Sequence, residues 1–210
     1  MPYNPNIHNR KSIRLKGYDY SQAGLYFITI CAKDRMCLFG NVIDGKMILN
    51  DAGRMVEKWY RELENKFPDV ICHEMVVMPN HFHCIVENVG YTVGVDLRVC
   101  PYKTNVPISV EHVSGNPIMD EHVLNEQILG KQILSEHVGS PLHRVVQWFK
   151  TMSTNEYIRG VKQLGWQSFN GKLWQRNYWD HIIRDEQSYQ RIAEYIINNP
   201  KNWDNDKFYK

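Results

Sequence analysis

No uninterrupted apolar run in these 210 residues approaches the roughly 20 residues a membrane-spanning helix needs. The first ten residues have no apolar stretch of the secretory kind, so no leader peptide and no membrane partner are expected. Cysteine is sparse: Cys31, Cys37, Cys72, Cys84 and Cys100 form an odd set without a C-x-x-C spacing, which argues against a disulfide framework and against a cysteine zinc site. A reducing cytoplasm is the expected location. Charge of one sign is lacking too, since 25 Lys and Arg stand against 23 Asp and Glu, so net charge alone points to no polyanionic partner.

What is present is a globular composition, 43% hydrophobic and 23% charged, of a size for one domain or one domain with a sizeable insertion. Aromatic and β-branched residues at 24–33 predict a central strand. Short strands at 36–40 and 46–49 flank Asp44-Gly45, a favoured hairpin pair. Asn50 is placed to cap a helix that runs to about Lys66, with Met55, Trp59 and Leu63 as its stripe and Pro68 as its stop. A strand over 70–78 and a second from His81, joined at Pro79-Asn80, predict an antiparallel hairpin. A helix follows over about 141–162, then an aromatic segment at 173–184, then a helix capped by Asp185 and ended by Asn199-Pro200. From about 88 to 140 neither period is sustained, Glu-His-Val recurs at 111, 121 and 136, and a variable insertion or loop within a single domain 1–210 is expected. The histidines of that tract, His112, His122 and His137, have no fixed chelating spacing.

Three stretches carry chemistry. His81 and His83 lie two residues apart on a strand and so share a face, while Phe82, Cys84 and Val86 suffice for the other. Such a pair reads either as two exposed polar positions of a half-buried strand or as two imidazoles side by side, the commonest metal ligand among side chains. Tyr195 lies well off the apolar stripe formed by Tyr189, Ile192, Ala193, Ile196 and Ile197, and Asn199, one turn on, falls on the same side. A phenol and a carboxamide thus project together near a helix end. Two segments mix cations with aromatics in the manner of surfaces that grip phosphates and stack bases: 10–20, with Arg10, Lys11, Arg14 and Lys16, and 174–184, with Trp174, Gln175, Arg176, Tyr178 and Arg184. Their bland readings are a solvated tail and a strand with core aromatics.

Met78-Pro79-Asn80-His81-Phe82-His83, the 174–184 segment, Glu194-Tyr195-Ile196-Ile197-Asn198-Asn199-Pro200 and the opening 10–20 together resemble the REP-associated tyrosine transposases, a group of single-tyrosine HUH transposases in which U is a bulky apolar residue. The likeness covers the chain except about 88–140. It implies a ferredoxin-like α+β fold, an antiparallel sheet with helices packed on one face. It also implies cutting and rejoining of single-stranded or hairpin-forming DNA through a 5′-phosphotyrosine, with Tyr195 as nucleophile and His81, His83 and Asn199 as ligands of Mg²⁺ or Mn²⁺. The basic and aromatic segments are then the expected DNA-binding parts. Tyr157 is the rival nucleophile; it lies nearer its helix's apolar stripe and has Val161, not an amide, four residues on. Two other classes remain: a DNA-hairpin-binding module of the same fold that does not cut, and a metal-dependent hydrolase with a water nucleophile, which is disfavoured because no acidic residue sits at ligand spacing beside the histidines. Monomer and homodimer are both open.

Overall fold

The computed structural model describes residues 15, 17–90 and 139–209. The N-terminal cations Arg10, Lys11, Arg14 and Lys16, and residues 91–138 of the insertion expected at about 88–140, with its histidines, lie outside them.

Four antiparallel strands form the main sheet, β1 (Gly24–Cys31), β4 (Val70–Met78), β5 (His81–Asn88) and β6 (Trp179–Ile183), in the order β4-β5-β1-β6. With α1 (Asp51–Lys66) between β1 and β4, and α2 (Leu142–Leu164) between β5 and β6, this is the β-α-β-β-α-β order of a ferredoxin-like α+β fold. The two central strands come from far apart in sequence, and each is buried on both faces by what packs above and below.

Local signals set the element ends. The small hairpin β2 (Gly40–Ile43) and β3 (Lys46–Leu49) turns at Asp44 and Gly45, whose φ values of 50° and 69° are those of the expected tight turn. Asn50 caps α1 by accepting from the Gly53 amide at 2.9 Å, and Asp185 caps α3 (Glu186–Asn198) by accepting from the Ser188 amide at 2.7 Å. The stripe of α1 is centred one residue beyond the expected one: Val56, Tyr60 and Leu63 are buried with Met55, while Trp59 is only partly covered and packs on Trp148.

Helices α1 and α2 lie on one face, over Tyr26, Ile28, Phe82, Cys84 and Val86. The third helix differs from the expectation of helices on one face only. Ile196 and Ala193 of α3 pack with Ile85 and Ile183, on the side to which the odd-numbered residues of β5 point. That side would otherwise expose Ile85, so burying it requires a cover, and α3 supplies one. Polar contacts fix α3 as well: Tyr189 donates its hydroxyl to Glu74 Oε2 at 2.7 Å and lies 3.3 Å from His73 Nδ1. His81 and His83 face the same side as α3.

Candidate metal and nucleophile centre

The histidine pair is buried, not exposed: His81 is 0% accessible and His83 1%. The reading of two solvated strand positions therefore fails. Burial follows from the chain after α3, which passes through a 3-10 segment (Pro200–Asn205) and lays Trp203 and Phe208 over the pair. The Phe208 ring centre is 4.6 Å from that of His81, and Phe27 stacks on His83 at 5.3 Å. Asn80 ties this cover down, donating from Nδ2 to the Phe208 carbonyl at 2.8 Å.

That bond also sets the tautomer. With its Nδ2 committed to Phe208, Asn80 presents Oδ1, an acceptor only, to His81 Nδ1 at 2.9 Å, so the His81 proton sits on Nδ1. The lone pair is left on Nε2, a buried atom without a hydrogen-bond partner. His83 is oriented in the same way, its Nδ1 2.8 Å from the Thr29 hydroxyl and its Nε2 3.3 Å from the Tyr195 hydroxyl. Outer partners that fix ring orientation in this manner are the usual accompaniment of histidine ligands.

The expected Asn199 is there as well. It is 1% exposed, and its Oδ1 is another buried atom without a partner, while its Nδ2 donates to Asp206 Oδ2 at 3.4 Å. Asp206 was not foreseen. Ligand atoms of His81, His83 and Asp206 all lie within 4.8 Å of one another, so an acidic group does stand beside the histidines, brought there by the fold and not by spacing along the strand. Two imidazole nitrogens and a carboxylate form a donor set that could hold a metal ion, and the Asn199 side chain stands next to its carboxylate. His81 Nε2 and Asn199 Oδ1, buried without partners, are each costly in a protein interior, a cost that a bound cation would relieve.

Burial holds His81 down to about 3, with the Lys207 and Arg35 charges adding to the effect, and holds His83 well below the ordinary 6.5 through burial and then the charge of His81. Both imidazoles are thus neutral and able to ligate at neutral pH. The folded protein refuses protons that the unfolded chain takes up below pH 6.5, so stability is lost as pH falls from about 6.5 toward 3. The expected slope for the metal-free protein is about 1.4 kcal/mol per pH unit for each imidazole. Urea denaturation at a series of pH values measures it, and equal stability at neutral and mildly acid pH would contradict the buried neutral pair.

Tyr195 is 41% exposed on α3 with its hydroxyl turned toward His83. Burial of the hydroxyl, then the Asp206 charge, raises its pKa, and a hydrogen bond from Asn199 works against them. Tyr157, the rival residue, is fully buried and its hydroxyl donates to the Gln167 carbonyl at 2.9 Å.

The remaining expected residues are elsewhere. Trp174 is 4% exposed in the main core, its indole donating to Ser153 Oγ at 2.9 Å, and Tyr178 is 9% exposed, so neither ring is an open stacking platform. Both line a cleft beside α2, together with Gln175 and Arg176. Arg184 follows β6 next to the start of β1, whereas His81 pairs with Cys31 at the other end, so Arg184 is about 20 Å from the centre along the sheet. Among the described residues no helix is long and apolar enough to cross a membrane.

An uncharacterized protein of Haemophilus influenzae (strain ATCC 51907 / DSM 11121 / KW20 / Rd) is 37% identical over 210 residues, spanning 99% of this chain and 97% of that one. The chain belongs to the same family as this protein. No family model matches the sequence. Among solved structures, the chain is similar to a REP-associated tyrosine transposase bound to a REP hairpin, with 17% identity, a TM-score of 0.49 and coverage of 89% of this chain and 72% of that one. It is also similar to a candidate transposase from Deinococcus radiodurans R1, with 15% identity, a TM-score of 0.39 and coverage of 88% and 95%.

Proposed function

We propose that this chain is a metal-dependent single-tyrosine DNA strand transferase, a transposase that cuts single-stranded DNA at hairpin-forming palindromes and holds the cut end on Tyr195. The observation that carries the reading is the Tyr195 hydroxyl 3.3 Å from His83 Nε2, beside two buried acceptors, His81 Nε2 and Asn199 Oδ1, that lack partners. The motif resemblance names His81, His83, Asn199 and Tyr195, and Asp206 adds a carboxylate beside the two histidines.

His81, His83, Asn199 and Asp206 would hold the divalent ion, Mg²⁺ or Mn²⁺. When bound, the ion supplies positive charge for a non-bridging phosphate oxygen and for the phenolate of the nucleophile. Tyr195 Oη forms a bond to phosphorus as the bond to the 3′ oxygen breaks; the phenolic proton is released and the 3′ oxygen takes one up. One phosphate ester replaces another, so the 5′-phosphotyrosine retains the energy for rejoining and no nucleotide cofactor is needed. Asn80 holds the His81 imidazole with its Nε2 lone pair free, Thr29 orients the His83 ring through Nδ1, and the rings of Phe27 and Phe208 pack against the two imidazoles.

The test is incubation with a hairpin-forming single-stranded oligonucleotide taken from DNA next to the gene, with Mn²⁺, followed by a denaturing gel. A slow-migrating protein-DNA adduct that disappears with chelator is the expected result. Asp206 gives the hydrolase reading the carboxylate it lacked in the sequence, and cut DNA released without any adduct would favour that reading instead.

A further inference from the structure

A second concave site lies on the opposite face of the sheet from the metal-ligand centre. It is a cleft of about 580 Å³ between the middle of α2 and the 171–178 segment. The volume is that of a small-molecule site, enough for a nucleotide. Its composition is one-sided. Lys150, Lys172, Arg176 and His143 line it and no Asp or Glu does so among the described residues, although the chain as a whole is nearly neutral. Lys150 is fixed there, its ammonium donating to the carbonyls of Gln175 at 3.0 Å, Asn177 at 3.3 Å and Arg176 at 3.4 Å and lying over the Tyr178 ring at 5.4 Å. A second class of group faces the same space from one side of α2: Gln147, Thr151 and Asn155, at i, i+4 and i+8. The three are exposed; the amides of Gln147 and Asn155 offer donors and acceptors, and the Thr151 hydroxyl, which donates to the Gln147 carbonyl at 2.9 Å, offers an acceptor, groups of the kind that read base edges. Cations at one wall and a ladder of amides and a hydroxyl at the other match a phosphate and a base.

The cleft is joined to the metal-ligand centre through backbone. Trp174 pairs with Ala32 in an isolated bridge, and the Gln175 amide donates to the Cys31 carbonyl at 2.9 Å, while Cys31 is the register partner of His81. We propose that this cleft binds one unpaired nucleotide of the DNA strand, with its phosphate toward Lys172 and Arg176 and its base against Gln147, Thr151 and Asn155, and so contributes to choice of the cutting site. The proposal rests on the strand-transfer reading for its substrate.

The test is binding, measured by fluorescence anisotropy without metal in the Tyr195→Phe protein, so that failure of the cutting chemistry and failure of the cleft are told apart. The probe is a hairpin oligonucleotide with unpaired flanks whose flank nucleotides are replaced one at a time by abasic sites. One position is expected at which loss of the base weakens binding about tenfold. Thr151→Trp, which fills the cleft from the exposed side of α2, is expected to abolish that position dependence. Lys172→Glu and Arg176→Glu, on an exposed loop, are expected to weaken every probe and lower the salt dependence. A flat abasic profile in the unfilled cleft would overturn the proposal, as would a profile unchanged by Thr151→Trp together with unchanged salt dependence in the loop variants. Free deoxynucleoside monophosphate binding as tightly as the strand would also overturn it, in favour of a site for small nucleotides.

Discussion

Tyr195→Phe is expected to abolish cutting and adduct formation, a loss on the order of 10⁴-fold or more, while leaving the fold and DNA binding in place. The size follows from the role, since no other described residue offers a nucleophile at this position: the phenolic oxygen is the atom that bonds to phosphorus, and phenylalanine has none. Stability should change little, because the ring is 41% exposed and stays in place, and the hydroxyl that is lost meets His83 at 3.3 Å and the Asn199 side chain. Tyr157→Phe is the control with the opposite profile. It removes a buried hydroxyl bonded to the Gln167 carbonyl, so it should cost about 1 kcal/mol of stability and leave adduct formation intact. Gel assays of both variants, with urea denaturation alongside, separate the two outcomes.

His81→Ala is expected to weaken Mn²⁺ binding by more than about 100-fold and to remove activity with it. The loss has two parts, a missing nitrogen donor and a hole beneath the Phe208 ring that lets water reach His83. Asp206→Asn should do less than His81→Ala, because the carboxamide keeps an oxygen at the same place and loses only the charge. Calorimetric titration of the metal-free proteins with Mn²⁺ measures both. If His81→Ala bound Mn²⁺ as tightly as the unaltered protein, the ion would have to sit elsewhere.

Much of this architecture is legible along the chain because its determinants are local. Asn50 and Asp185 cap within three residues, Asp44-Gly45 turns within two, and the alternation from His81 to Val86 fixes both the strand and the shared face of the histidines. Tyr195 and Asn199 are readable as a pair because one helical turn separates them. The parts that escape are set by distant contacts. Asn80 meets Phe208 across 128 residues of sequence, and no period or spacing announces that 203–208 returns over the histidines and carries Asp206 with it. Burial of His81 and His83 is a consequence of that return, and so is their low pKa. Trp174 and Tyr178 illustrate the converse limit. An aromatic segment with cations has the same composition whether its rings face solvent or core, and only the packing of Trp174 against Phe39 and Phe149 decides that they face inward. The face chosen by α3 is likewise a tertiary matter, since its stripe fits either side of a sheet.

The most direct measurement is peptide mapping by mass spectrometry of the protein after incubation with the hairpin oligonucleotide and Mn²⁺ and digestion of the DNA. The account predicts a nucleotide phosphate on the peptide that contains Tyr195, present with metal and absent after chelation. The same mass on a peptide containing Tyr157 or any other residue, or cut DNA with every peptide unmodified, would contradict it.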